Sequence, residues 1–202
     1  MRILVLSTAL VLSACGEMGG ADTDAAGDLS APAPTVSIDA DIVFPASQET
    51  VDAMIVGEGL SAAYQDDGIV ITGRTSERNS AGTTSGAAFV VDETQEAEVG
   101  GHTVTMKIVA KGPEGSQMLV AYSTNERGNS NWKQFELTPD FAEYSFDYDV
   151  KSVLRGRGDY LGVIPLNETV TIATAGLAIG EALPPEEPET EAPAPETEAD
   201  AE

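Results

Sequence analysis

The chain has 202 residues, with 34 Asp and Glu against 10 Lys and Arg and a formal charge of −24. No basic stripe is available to displace counterions from phosphates, which excludes a nucleic-acid surface. One cysteine and one histidine exclude an intrachain disulfide, a thiolate zinc site and a histidine cluster.

The first element is a leader. Arg2 supplies a positive charge, Ile3 to Leu12 form an apolar run softened by Ser7 and Thr8, and the small residues Ser13 and Ala14 follow. This order describes a secretory signal, too short for a membrane span of about 20 residues. Leu12-Ser13-Ala14-Cys15 resembles the bacterial lipobox. The resemblance implies cleavage after residue 14 and lipidation of Cys15, with acyl chains (diacylglycerol, palmitate) that make a durable membrane anchor. Gly16 in place of Asp implies the outer membrane in a Gram-negative envelope. The lipid must do the anchoring, because so acidic a chain is repelled by anionic headgroups.

Residues 15–34 carry the lipidated cysteine and a Gly-, Ala-, Asp- and Pro-rich tether. At the other end, residues 182–202 read as an unstructured acidic tail. From Pro184 to Glu202 there are eight acidic residues, five prolines and no basic residue. Such a stretch buries too little apolar surface to offset its ordering entropy. Residues 35–181 lie between, the usual size of one domain.

Within that domain, alternation predicts antiparallel strands with one face on a core. In chain order they cover Leu60 to Tyr64, Gly68 to Gly73, Ala87 to Asp92, His102 to Lys111, Gln117 to Thr124, Trp132 to Leu137, Tyr144 to Val150, Asp159 to Pro165 and Thr169 to Gly180, the last with a break at Gly176. Val104, Met106, Ile108 and Ala110 share one face. So do Tyr144, Phe146, Tyr148 and Val150. Breakers such as Gly100-Gly101 and Gly112-Pro113-Glu114-Gly115 fall between strands. No window of 12 or more residues has helical spacing. The expectation is an all-β antiparallel sandwich, a jelly roll of about eight or nine strands.

The order of these segments, with Trp132-Lys-Gln-Phe-Glu-Leu137 and Tyr144-Ser-Phe146 at its centre, resembles the carbohydrate-binding-module and galactose-binding-like jelly rolls. The resemblance runs from Gly86 to Gly180. It implies a non-catalytic module that binds a glycan, such as an envelope polysaccharide. The alternative is a structural or assembly lipoprotein whose sandwich contacts protein partners without binding sugar.

The residues themselves point away from catalysis. There is no nucleophile elbow, phosphate loop or zinc-protease helix, and His102 stands alone at a strand start. A sugar surface needs exposed aromatic faces and planar polar groups. Phe135 and Leu137 share one parity, so a regular strand puts Trp132, Gln134 and Glu136 on the opposite face; a bulge would turn Trp132 inward. Trp132 with Tyr122, Arg127, Asn129 and Asn131 is therefore the candidate carbohydrate site. Arg155 and Arg157 form a basic cluster read as pairing with Asp147 and Asp149, or binding an anionic sugar. Asp39, Asp41, Asp147 and Asp149 are candidates for a structural calcium, because hard oxygen ligands suit that ion.

Overall fold

A computed structural model describes residues 36–66, 68–75, 86–124, 127–152, 156, 158–167 and 169–185. Cys15, the tether, the acidic tail beyond residue 185, Arg155 and Arg157 lie outside the described residues.

Twelve strands and two short helices follow in the order β1 (Ile42–Pro45), α1 (Gln48–Ala53), β2 (Ile55–Val56), β3 (Leu60–Gln65), β4 (Gly68–Gly73), β5 (Ala87–Val91), α2 (Glu93–Val99), β6 (His102–Lys111), β7 (Gln117–Thr124), β8 (Gly128–Asn129), β9 (Lys133–Glu136), β10 (Ala142–Val150), β11 (Asp159–Pro165) and β12 (Val170–Ala182). One sheet has the order β10-β6-β12-β4-β3, with β1 added beside β12. The other runs β2-β5-β11-β7-β8, with β9 also on β7. Every pairing is antiparallel. The two sheets form a sandwich of the jelly-roll type, as the strand pattern predicts.

Alternation places the core. On β6, Val104, Met106, Ile108 and Ala110 are buried, and opposite them on β12 lie Ile172, Ala175 and Leu177. The second sheet supplies Phe89, Val91, Met118, Val120, Tyr122, Leu161 and Val163. On β10, the predicted inward residues Tyr144, Phe146 and Tyr148 pack against that core, while Glu143, Ser145, Asp147 and Asp149 are exposed.

Three details differ from the sequence expectation. Among the described residues the strands number twelve: β2 and β8 have only two residues each, too few for alternation to register, and β1 adds a third strand at the start of the domain. Two helices occur, but they have six and seven residues, below the length of a periodic window. Capping explains their existence. Ser47 Oγ accepts from the Thr50 N–H at 3.0 Å, and Asp92 and Gln95 form a reciprocal capping box at α2. Finally, β12 does not break at Gly176. That glycine stays paired with Lys107, and it is small because the incoming chain crosses over it. A Cβ there would lie 2.8 Å from the Ala40 Cβ and from the Ile42 carbonyl oxygen. The register shifts instead fall between Ile172 and Thr174 and between Ile179 and Ala182.

Candidate functional site

The outer face of the second sheet, turned away from the sandwich core, is built by pairing. Antiparallel partners share a face. Asn129, Ser123, Tyr160 and Val90 therefore form one row across β8, β7, β11 and β5. The next row is Ala121, Gly162, Ala88 and Ile55. The third begins with Gln134, Leu119 and Ile164. The middle row consists mostly of small residues flanked by larger ones, a trough in side-chain size running across the strands.

Ala88, Leu119, Ala121 and Ile164 are each no more than 4% exposed, yet none belongs to the main core cluster. They form a separate apolar floor. Around it, Tyr160, Val90, Asn129 and Trp132 keep part of their surface, and Gln134 and Ile55 are exposed. No charged side chain stands in the three rows.

Trp132 reaches this face through an irregularity in the edge strand. Ser123 pairs with Asn129, whereas Val120 pairs with Lys133. The pairing of Tyr122 with Ser130 leaves Asn131 and Trp132 together opposite Ala121, a β-bulge with one extra residue. Asn131 takes φ of 57°, the left-handed conformation that Asn tolerates better than most residues. Its N–H donates to Asn129 Oδ1 at 2.9 Å. Ser130 Oγ accepts from the Tyr122 N–H at 2.9 Å and donates to the Asn131 carbonyl at 3.0 Å. Ser130 thus repairs with its side chain the ladder that the bulge interrupts.

The extra residue resets the alternation. Counted from Asn129 on the outer face, Trp132 falls inward; counted back from Gln134, it falls outward. The structure follows the second count. The indole stays out of the core cluster, and its Cη2 lies 3.5 Å from where a Cβ at Gly86 would stand, beside Ile164. The bulge, expected at sequence level to turn this ring inward, sits ahead of it and turns it outward. Phe135 takes the inward place predicted for it, against Tyr144 at a ring-centroid distance of 5.6 Å.

No family model and no curated protein matches the chain. Solved structures do. One titled "BiXyn10A CBM1 APO" is 11% identical with a TM-score of 0.46, covering 69% of this chain and 97% of the other. The C-terminal family 22 carbohydrate-binding module of Clostridium thermocellum Xyn10B is 15% identical with a TM-score of 0.45, over 69% of this chain and 92% of that one. A xylan-binding domain from family 22 is 17% identical at 0.45, over 70% and 97%. No residue assignment rests on these likenesses.

The other sequence candidates sit as follows. Tyr122 leaves the site. It points into the core at 0% exposure, and its hydroxyl donates to Asp159 Oδ2 at 2.7 Å. Burial first, then the Asp159 carboxylate, push its phenol pKa well above the ordinary value. Arg127 donates from its backbone to Thr124 Oγ1 and from its guanidinium to the Ser152 carbonyl at 3.3 Å. Asn129 lies in the first row of the outer face, and Asn131 forms the bulge. Asp147 and Asp149 accept from Thr105 and Thr103 across the strand pair, each at 2.6 Å. Asp41 Oδ2 accepts from the Ile179 N–H at 2.7 Å, and the Asp39 carbonyl accepts from Lys107 Nζ at 2.8 Å. Among the described residues, no three His, Cys, Asp or Glu side chains gather as a metal site.

Sequence reasoning missed Tyr160 and the trough. Asp159 to Pro165 is apolar on both faces, so its alternation carries no sign. Gln134 was legible, since it shares parity with Trp132.

Proposed function

We propose that the domain is a non-catalytic carbohydrate-binding module that offers the outer face of the second sheet to a glycan. The observation that carries the reading is the Trp132 indole, held outside the core at a bulge above a trough of small residues. An aromatic face suits the C–H faces of a pyranose, and Tyr160, Asn129 and Gln134 supply groups able to meet hydroxyls. The absence of charge from the three rows favours a neutral sugar. A glycan array probed with the chain from Gly16 onward tests this. Binding that disappears in Trp132→Ala supports it, and uniform lack of binding, with and without calcium, overturns it.

A second reading, a protein-binding assembly lipoprotein, draws on Ile55 and Val56, which are 49% and 38% exposed at the edge of the same sheet. Val56→Lys separates the two, because it disrupts an apolar protein contact at the sheet edge while leaving Trp132 and the three rows unchanged.

We further propose that the chain is lipidated at Cys15 and tethered to the outer membrane, on the strength of Leu12-Ser13-Ala14-Cys15. Metabolic labelling with a palmitate analogue tests it. Cys15→Ala is expected to lose label and detergent-phase partition, and persistent labelling refutes the assignment.

A further inference from the structure

The trough reads as a sugar surface only because Trp132 faces outward, and its direction is decided one residue earlier. We propose that Asn131 is a positioning residue for the tryptophan platform: its left-handed backbone, held by Asn129, inserts the extra residue that delivers the indole to the outer face. The inference rests on the proposed glycan reading for its purpose, but not for its geometry.

Four observations converge on it. The pairing of β7 gains one residue between Asn129 and Lys133, so the bulge is a property of register. Among the described residues, Asn131 is one of two non-glycine residues with positive φ, the other being Asp66 in the turn between β3 and β4. Its N–H is taken by Asn129 Oδ1, so the side chain of one asparagine fixes the backbone of the other. Ser130, 5% exposed, anchors the base of the bulge to Tyr122 through both its N–H and its hydroxyl. Without the extra residue, regular pairing carries Trp132 to the inward face, where Met118, Val120 and Tyr122 already fill the space.

A β-branched residue resists the left-handed region, whereas glycine adopts it freely. Asn131→Val and Asn131→Gly therefore push the bulge in opposite senses, and both remove the same exposed amide, so that any loss common to the two is separate from the direction of the ring. Trp132 is the only tryptophan of the chain, so its fluorescence reports this one ring. The experiment measures emission maximum and acrylamide quenching in both variants and the parent, with far-ultraviolet circular dichroism as a check of folding. Xylohexaose is then titrated into each. Asn131→Gly is expected to match the parent in quenching. Asn131→Val is expected to keep the β-sheet signal, change its quenching constant by at least about twofold and bind xylohexaose at least about tenfold more weakly.

The proposal is overturned if Asn131→Val folds with parental quenching, or if Asn131→Gly departs from the parent as far as valine does. Should the valine variant fail to fold, Asn131→Ala is a milder change of the same sign and is judged by the same criteria. Failure of the parent to bind xylohexaose counts against the glycan reading alone, since the quenching comparison needs no ligand.

Discussion

Replacing Tyr122 by Phe removes one oxygen from the middle of the sandwich and little else. The ring stays, together with its contact to Tyr148 at a centroid distance of 6.1 Å. What is lost is the 2.7 Å bond to Asp159 Oδ2, made between residues that are 0% and 1% exposed. Water does not readily replace the donor, so a buried carboxyl oxygen goes short by about 1–3 kcal/mol. For a domain of this size that corresponds to a melting temperature lower by about 3–10 °C at pH 7.

The same variant carries a pH signature. Burial, then Asp159, raise the Tyr122 phenol in the folded state, and burial, then Asp159 and Asp149, raise Tyr148. A group whose folded pKa is raised contributes stability that is fully present below its unfolded value, about 10 for tyrosine. That stability is lost as the pH climbs above it toward the folded values. Urea denaturation at steps from pH 7 to about pH 11 should therefore show the parent losing stability above about pH 10, with one tyrosine contributing up to about 1.4 kcal/mol per pH unit. Tyr122→Phe should start lower and fall less steeply. Equal stability at pH 7, or an identical alkaline slope in both proteins, would refute the reasoning.

Other outcomes follow from single features. Trp132→Ala should weaken glycan binding at least about tenfold, or about 1.4 kcal/mol by calorimetry, and should also lower thermal stability, because the half-buried ring lies over Gly86 beside Ile164. Gly176→Val should drive a side chain against Ala40 and the Ile42 carbonyl. The expected cost is about 1–3 kcal/mol in urea unfolding, with faster proteolysis of residues 36–45 than elsewhere. Gly162→Leu should crowd Ala88 and Ala121, which are 1% and 4% exposed, and weaken glycan binding at a measurable cost in urea unfolding.

The fold was legible wherever one face of a strand meets water. On β6 and β10 the polar face is written in Thr103, Thr105, Lys107, Glu143 and Asp147, so both the strand and its inward side could be read. On β7 and β11 it is not. Met118 to Tyr122 are all buried, because the outer face of that sheet carries an apolar floor of its own. Alternation among apolar residues has no sign, so neither the inward side of Tyr122, a candidate only through its nearness in sequence to Trp132, nor the outward side of Tyr160 could be read. For Trp132, the parity of Phe135 and Leu137 pointed outward while the prospect of a bulge left its direction open. The bulge that produces this orientation depends on register against β7, and a partner strand cannot be read from one segment. The helices were hidden for a different reason: one or two turns leave no periodicity, only the caps at Ser47 and Asp92.

The long final strand has a consequence for the order of assembly. β12 pairs with β6 on one side and with β4 and β1 on the other. Phe44 therefore waits for Thr174, 130 positions later, before its carbonyl meets a partner. A nascent chain emerging N-terminus first holds β1 with no strand beside it until nearly the whole domain has been made. The entropy of closing so large a loop grows only with the logarithm of its length, so the delay shows in the folding rate more than in final stability. Truncation within β12 should accordingly release Ile42–Pro45 first, a defect made at one end of the polypeptide and felt at the other.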